Sequence, residues 1–276
     1  MNEKLSRPQF NQMDTTEKQT LMESLAARYN MTFLDLHTFD RWGQSSTTGI
    51  FEKDGRKFVF VPGDTVTLGW EQFAVGLNQE SREELEYLFR EWEMEPQNPE
   101  EMIRESMAPV RQAVIGPMLV GRELEELCWE PVKMDDPRLT AHPDWLKEFR
   151  DFAWSDSSSL TLHQSARIER TEDGFQTWIY HCTDYDALLA GLEKQGLSLP
   201  TADEWAYLCG GGCRTLFPWG DGLDYSMRLR WFEDMDEDEN RPYDMEEPNF
   251  FGLSIAYDPY MREVVQADRL TTCGDR

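Results

Sequence analysis

Two cysteines close together in the chain are the first side chains that could do chemistry. Cys209 and Cys213 lie four residues apart around a run of three glycines. Thiolates select soft ions such as copper(I), so two thiols within reach of one ion form a candidate soft-metal site. An isolated pair of cysteines is more often a pair of small buried hydrophobic side chains. The sequence favours that simpler interpretation and keeps Cys209 and Cys213 as candidates.

The cysteines as a set indicate reduced thiols. They are odd in number and scattered, which does not suit a disulfide framework. The five are Cys128, Cys182, Cys209, Cys213 and Cys273.

An acidic run at residues 233–247 looks like a calcium-binding loop at first sight. Asp234, Asp236 and Asp238 occupy alternate positions, as in an EF-hand. The pattern fails at the two decisive places, because Glu239 stands where the sharp turn needs glycine and Met245 where the bidentate glutamate belongs. A run of like charges is usually a solvated loop.

Composition excludes some partners. The chain has 276 residues, 27 basic against 53 acidic, for a formal charge of −26. Such a surface repels phosphate backbones, so we expect no nucleic-acid partner. The N-terminal residues lack the apolar core of a signal peptide, and no stretch approaches the ~18 apolar residues of a membrane span. We therefore expect a cytoplasmic protein without a membrane partner.

The N-terminal part of the chain shows helix and hairpin signals. Asp14 and Glu17 have the spacing of a capping box, and apolar residues recur at helical spacing up to about Asn30, which predicts a helix. The pair Asp54-Gly55 favours a tight type I′ turn between two strands. The predicted strands are residues 50–53, 56–61 and 64–69.

The middle of the chain contains further amphipathic patterns. Asp173-Gly174 predicts a second hairpin. Thr183 together with Asp186 is predicted to cap a helix. The apolar residues 108–120 are interrupted by a proline and are predicted as a strand or a buried loop. The other predicted elements are helices at 81–92 and 143–152 and hairpin strands at 166–171 and 175–182.

A short, strongly specified helix follows Pro200. The residue before a proline is pushed out of the helical region, and Thr201 with Glu204 then forms a capping box. Trp205 and Leu208 share one face of this helix. The glycine run ends it, because glycine enters the left-handed conformation without penalty.

This helix belongs to an ordered set of motifs. Residues 199–209 read L-P-T-A-D-E-W-A-Y-L-C, residues 217–220 read F-P-W-G, and residues 249–253 read N-F-F-G-L. The string resembles the core signature of the formylglycine-generating enzyme (sulfatase-modifying factor) family, which carries R-L-P-T-E-A-E-W-E-Y-A, Y-P-W-G and N-x-F-G-L. Residues 58–69, F-V-F-V-P-G-D-T-V-T-L-G, are similar to the family's opening F-x-x-I-P-G-G-x-F-x-M-G, and residues 183–187 lie where it places a W-x-D-A helix.

The resemblance implies a fold. Members of the family have an α+β, C-type-lectin-like architecture rich in irregular loops. We expect residues 47–276 to form such a domain and residues 1–46 to be an N-terminal helical extension. The chain departs from the family after Leu253, where the G-N-V-W-E-W and R-V-x-R-G-G-S-W segments are absent. Either the site has been lost or a C-terminal piece lies beyond this sequence.

The resemblance also implies cofactors and site residues. The family oxidises a substrate cysteine with a pair of C-terminal cysteines that bind copper(I); here only Cys273 lies in that region, so it is the candidate catalytic residue and copper is disfavoured. The family binds structural calcium in nearby loops, which makes Asp221, Asp224 and Asp234 candidate calcium ligands. A related branch uses three histidines on iron, but the four histidines here lack its H-x-x-x-H-x-E spacing.

Three classes of function compete on these grounds. The absent cysteine pair favours a non-catalytic relative that binds a protein or a small ligand. The alternative is an oxygen-dependent, cysteine-oxidising (sulfatase-modifying) enzyme, an oxidoreductase whose missing part lies beyond Arg276 or on another chain. A third class, a structural partner for a basic protein, rests on the charge alone.

Overall fold

Helices and antiparallel strands alternate along the chain. The computed structural model describes residues 5–95, 98–171, 173–229 and 242–274. The α-helices are α1 (Arg7–Gln12), α2 (Thr15–Tyr29), α3 (Gln79–Glu91), α4 (Pro99–Ser106), α5 (Pro137–Thr140), α6 (Pro143–Ala153), α7 (Tyr185–Lys194) and α8 (Ala202–Gly210). The strands are β1 (Thr32–Arg41), β2 (Gln44–Lys53), β3 (Arg56–Val61), β4 (Asp64–Leu68), β5 (Arg111–Ile115), β6 (Met118–Gly121), β7 (Trp129–Val132), β8 (Ser159–Leu162), β9 (Ala166–Thr171), β10 (Gly174–Tyr180), β11 (Glu263–Val265) and β12 (Thr271–Cys273).

The chain forms two compact units. The larger is Met1–Leu124 together with Leu199–Arg276, and the smaller is Glu125–Ser198. The larger unit contains an antiparallel sheet in the order β1-β2-β3-β6 and two strand pairs, β4-β5 and β11-β12. The smaller unit contains one antiparallel sheet in the order β7-β10-β9-β8. The α+β class is therefore confirmed.

Each unit has a hydrophobic core of its own. In the larger unit, strand residues of β3, β4 and β5 pack against α8 and against the segment that follows Asn249. In the smaller unit, α5 and α6 pack on the sheet. The core of the larger unit includes Val59, Val61, Tyr207, Leu208, Phe250, Phe251 and Leu253, and that of the smaller includes Leu139, Phe149, Phe152, Ile168 and Ile179.

Most of the predicted elements are confirmed. Asp14 and Glu17 form the capping box of α2, and Asn30 ends that helix in the left-handed conformation. The Asp54-Gly55 turn joins β2 to β3, with φ positive at both residues as a type I′ turn requires. The predicted helices correspond to α3 and α6, and the second hairpin corresponds to β9 and β10.

Three local predictions differ from the structure. Residues 108–120 contain two strands, β5 and β6, with Pro117 between them. The N-cap of α7 is Asp184, whose carboxylate accepts a hydrogen bond from Ala187 N at 2.8 Å, so the cap lies one residue after the predicted Thr183. The predicted division at residue 47 falls inside β2, because β1 and β2 pair from Thr32 to Glu52 as a long hairpin.

No helix in the described part of the chain is long and apolar enough to cross a membrane.

Candidate functional site

The capped helix α8 is held by contacts that its own sequence motif supplies. Thr201 and Glu204 make the predicted reciprocal capping box. Gly211 takes the left-handed conformation at the other end, with φ 61°. The Arg7 guanidinium donates to the Gly211 carbonyl at 2.9 Å and lies over the ring of Phe251. Both ends of α8 are therefore fixed.

Asn249 joins α8 to the segment that follows it. This side chain is 3% exposed. Its Nδ2 donates to the Leu208 carbonyl at 2.8 Å, and its Oδ1 accepts from Phe251 N and Leu253 N at 2.9 and 3.2 Å. Because the amide uses both its donor and its acceptor, it aligns the N-F-F-G-L segment with the helix end. Of the aromatic residues in these motifs, Phe250 is fully buried, whereas Trp205 and Trp219 are only half-buried.

Two of the cysteine candidates, Cys209 and Cys273, lie near one half-buried carboxylate, that of Glu263. Glu263 accepts from Trp205 Nε1 at 2.7 Å and from Ala256 N at 2.6 Å, and it pairs across strands with Cys273. Glu263 and Cys273 both interact electrostatically with Cys209. The fold therefore brings Cys273 close to Cys209, although the two residues are 64 positions apart in the sequence.

The three candidate thiols have raised pKa values. Burial raises the pKa of Cys209 well above its usual range, and nearby Glu263 raises it further. Burial also raises the pKa of Cys213 and of Cys273. The thiolate is the form that binds metal and attacks electrophiles, so these three groups are protonated at neutral pH. Their environment is that of structural cysteines.

The candidate calcium ligands do not converge. Asp221 is 3% exposed, and its carboxylate accepts from Val75 N, Gly76 N and Leu216 N at 2.6, 3.0 and 2.9 Å. Asp224 is exposed and accepts from Ser226 N and Oγ at 2.9 and 2.6 Å. Asp221 thus fastens a loop and Asp224 closes a turn. Asp234 lies outside the described residues.

A metal centre is not formed by the described side chains. No group of three or more histidine, cysteine, aspartate or glutamate residues among them is arranged to hold a metal ion. The predicted calcium site stays a prediction, with Asp221 committed to backbone N–H groups. Of the histidines, His37 contacts the Phe39 ring at a tilted angle and His142 stacks on Trp145.

An open groove in the larger unit is a candidate site formed by described residues. It has a volume of about 620 Å³, within the usual range of ligand sites. One wall is the end of β1, and the other is formed by residues 224–227 and 244–248. Its lining residues are His37, Thr38, Phe39, Asp40, Arg41, Trp42, Arg122, Asp224, Ser226, Met227, Asp244, Glu247 and Pro248.

Arg122 is held in the groove by an apolar floor. Its Nε donates to the Gly252 carbonyl at 3.0 Å, and its guanidinium lies 5.2 Å from the centroid of the Phe39 ring. The chain can approach Phe39 this closely only because residue 252 is glycine, since an added Cβ would come within 2.4 Å of that ring. The glycine of the N-F-F-G-L motif therefore positions both Phe39 and Arg122.

The charges of the groove are unequally satisfied. Arg41 pairs with Glu247 at 3.4 Å, donates to the Asp244 carbonyl and lies over Trp42. Burial is the main cause that lowers the pKa of Arg41, opposed by these acidic neighbours. Arg122, by contrast, makes no ion pair within residues 5–95, 98–171, 173–229 and 242–274, and neither does Asp40. One cation and one anion are left to meet a ligand.

Of the residues that line this groove, the sequence singles out only Asp224, as a candidate calcium ligand. β1 was assigned to a helical extension, although Thr32–Arg41 is rich in threonine and aromatic residues, which favour strands. Trp42 and Gly43 both have positive φ and form the β1–β2 turn, and a tryptophan is an unusual residue there. The functional candidates Asp40 and Arg122 come from segments far apart in the chain, so no local motif could have joined them.

The comparisons with known proteins do not assign a family. No family model matches the chain, and no curated protein and no solved structure gave a match.

Proposed function

We propose that this protein is a divergent relative of the formylglycine-generating enzymes, with a C-type-lectin-like larger unit, that acts as a non-catalytic binding module in the cytoplasm. The resemblance gains support from the way its separate motifs meet. Val59 and Val61 from residues 58–69, Leu208 from residues 199–209 and Phe251 from residues 249–253 pack in one core. Motifs that share a core are under one structural constraint, as the parts of a common scaffold would be.

The state of the thiols argues against an oxidase. Oxidation of a substrate cysteine through copper(I) requires two thiolates on the ion. Cys209, Cys213 and Cys273 all have a raised pKa because they are buried. The described residues therefore offer protonated thiols in place of a pre-formed soft-metal site.

The observation that carries the binding function is the free guanidinium of Arg122 in the open groove. One hydrogen bond to a backbone carbonyl and the contact with the Phe39 ring hold this side chain in place, while its terminal nitrogens have no acidic partner among the described residues. A guanidinium in this state is suited to bind a carboxylate or phosphate oxygen pair. Asp40 on the same groove could accept an ammonium group, so the best ligand carries both charges.

A ligand screen tests this proposal. We would record amide spectra of the whole protein with a panel of short peptides and amino acids, each with free and with blocked ends. Chemical-shift changes confined to the groove would support the proposal, provided that Arg122→Gln weakens the affinity at least tenfold and Arg28→Gln does not. Arg28 is an exposed arginine of α2 in the same unit and is the matched control. Binding that ignores Arg122→Gln would contradict the proposed site.

The alternative function is the oxygen-dependent oxidation of cysteine, in a protein completed by residues that this sequence does not contain. It is favoured by the gathering of Cys209 and Cys273 around Glu263. Titration with copper(I), followed by incubation of a cysteine-containing peptide with oxygen, separates the two functions. Tight copper binding with formation of a peptide aldehyde would replace the binding module by the enzyme.

A further inference from the structure

Two free cysteines stand at the open end of a strand pair in the smaller unit. The β7–β10 ladder ends with the pair Trp129 and Tyr180. One more backbone hydrogen bond follows, from His181 N to the Cys128 carbonyl at 2.9 Å. Cys128 therefore lies opposite His181, and Cys182 is one residue further along.

This register brings the two cysteines within disulfide range. Paired antiparallel strands lie about 5 Å apart between opposite Cα atoms, and each residue advances about 3.4 Å. A regular continuation of the ladder would place the Cα atoms of Cys128 and Cys182 about 6 Å apart, inside the range of about 4.4–6.8 Å that disulfides span.

A regular ladder would turn the two side chains to opposite faces, but Cys128 departs from the regular ladder. Cys128 has φ 68°, a left-handed conformation that is uncommon and strained for a residue other than glycine. Tyr180 shares its face of the strand with Cys182, two residues on. The Tyr180 hydroxyl interacts electrostatically with the thiols of both Cys128 and Cys182. Both thiols therefore lie beside one tyrosine.

We propose that Cys128 and Cys182 are a peroxide-responsive thiol pair that forms a disulfide at the end of the β7–β10 ladder of the smaller unit. Cys182 is exposed and Cys128 is half-buried. Because Cys182 is exposed, its thiol reacts with peroxide first. The less accessible Cys128 is then the resolving thiol, which attacks the oxidised sulfur of Cys182. This inference is independent of the groove and of its ligand.

The chemistry balances with hydrogen peroxide as the oxidant. The Cys182 thiolate attacks one peroxide oxygen, the O–O bond breaks, and with one proton a water molecule leaves, giving sulfenic acid on Cys182. The Cys128 sulfur then attacks the Cys182 sulfur, the S–O bond breaks, and the Cys128 proton leaves with the hydroxide as a second water. Two thiols lose two electrons and one peroxide gains them.

The bond would change the smaller unit in two ways. It closes a loop that contains strands β7 to β10, which restricts the unfolded chain and so stabilises the fold. It also removes the thiol hydrogen from the contact with Tyr180. The remaining cysteines are poor competitors, because burial raises the pKa of Cys209, Cys213 and Cys273.

Mass spectrometry of the oxidised protein tests the pair. Reduced whole protein is treated with millimolar hydrogen peroxide, alkylated with iodoacetamide and digested. We expect a linked peptide containing Cys128 and Cys182, with the other three cysteines alkylated. We also expect the midpoint of thermal unfolding of the smaller unit to rise by roughly 10 °C after oxidation and to return with dithiothreitol.

Three variants assign the roles. Cys128→Ser should leave a sulfenic acid on Cys182 that dimedone traps, and Cys182→Ser should abolish the rapid reaction. Cys209→Ser is the control and should leave the linked peptide unchanged. A disulfide that involves any other cysteine, a wild-type Cys182 that stays a sulfenic acid, or a protein inert to peroxide would each overturn the proposal.

Discussion

A single amide, that of Asn249, connects the capped helix to the turn that supports the groove. It is buried and makes three hydrogen bonds to backbone groups. Removing a buried polar side chain in this position costs more free energy than its hydrogen bonds contribute, because the backbone groups that it satisfies are left buried without a partner.

Replacing this residue should therefore be costly. We expect Asn249→Ala to lower the free energy of unfolding by about 3 kcal/mol, since a carbonyl and two N–H groups lose their partner in the interior. Urea denaturation measures the change. Asn11→Ala, at an exposed position of α1, should stay within about 0.5 kcal/mol. Equal effects of the two substitutions would contradict the role of Asn249.

Glu263 predicts a pH dependence of stability. Burial raises the pKa of this carboxyl, although the hydrogen bonds from Trp205 and Ala256 act in the opposite direction. A folded-state pKa above the unfolded one means that the protonated form favours folding. This contribution is present at low pH and is lost as pH rises through the folded pKa.

The variant Glu263→Gln removes this titration. We expect its melting temperature to exceed that of the wild type by an amount that grows as pH rises from about 4 to 7, because only the wild type pays for a buried charge. Differential scanning calorimetry at several pH values gives the comparison. Glu52→Gln, at an exposed position of β2, should show no such trend. A constant difference between Glu263→Gln and wild type would rule this explanation out.

At the scale of secondary structure, helix ends and turns decide where the chain changes direction. α2 and α8 both begin with a full capping box, and both end in a left-handed residue. These signals are local, which is why they were predictable. The end of α8 carries a second constraint, because Gly211 is packed against the ring of Phe250.

Two glycines with a left-handed backbone differ in how closely their neighbours pack, so they separate the energetic cost of the backbone conformation from that of crowding. Gly43 and Gly211 have φ of 70° and 61°, but an added Cβ meets nothing within 4 Å at Gly43 and comes within 2.7 Å of Phe250 at Gly211. We expect Gly43→Ala to cost about 1 kcal/mol for the left-handed backbone, and Gly211→Ala about 2 kcal/mol more for the added crowding. Chemical denaturation of both variants tests this. The same loss in both would mean that the Phe250 contact has no energetic weight.

On the scale of the whole molecule, the chain is divided into two units with separate cores. The smaller one, Glu125–Ser198, is inserted between two parts of the larger. Its core consists of residues from its own strands and helices, such as Phe149 and Ile168. A segment that buries its own apolar side chains has what it needs to fold alone.

We therefore expect residues 125–198, expressed alone, to unfold in one cooperative thermal transition. Their amide spectrum should be dispersed and should resemble that of the same residues in the full chain. Phe149→Ala in this fragment should abolish the transition, because it removes a fully packed ring at a cost of about 3–5 kcal/mol. A fragment without cooperative unfolding would show that the unit depends on the rest of the chain.

Particular elements show how far sequence reasoning reached. The capping boxes of α2 and α8 and the Asp54-Gly55 turn were predicted correctly, because each depends on residues within four positions. The long strand β1 was missed, and residues 32–46 were assigned to a helical extension. The strand owes its place to pairing with β2, and such pairing is visible in a sequence only through weak propensities.

The sequence by itself determined the α+β class, the acidic charge, the capped helix after Pro200 and the motifs that suggest a lineage. Only the tertiary structure decided which side chains share a site. Asp40 and Arg122 line one groove, and Cys128 and Cys182 lie at the same end of a strand pair. The physical reason is that helix caps and tight turns are closed by neighbours in the chain, whereas a groove or a thiol pair depends on the register of strands brought together by the burial of apolar side chains.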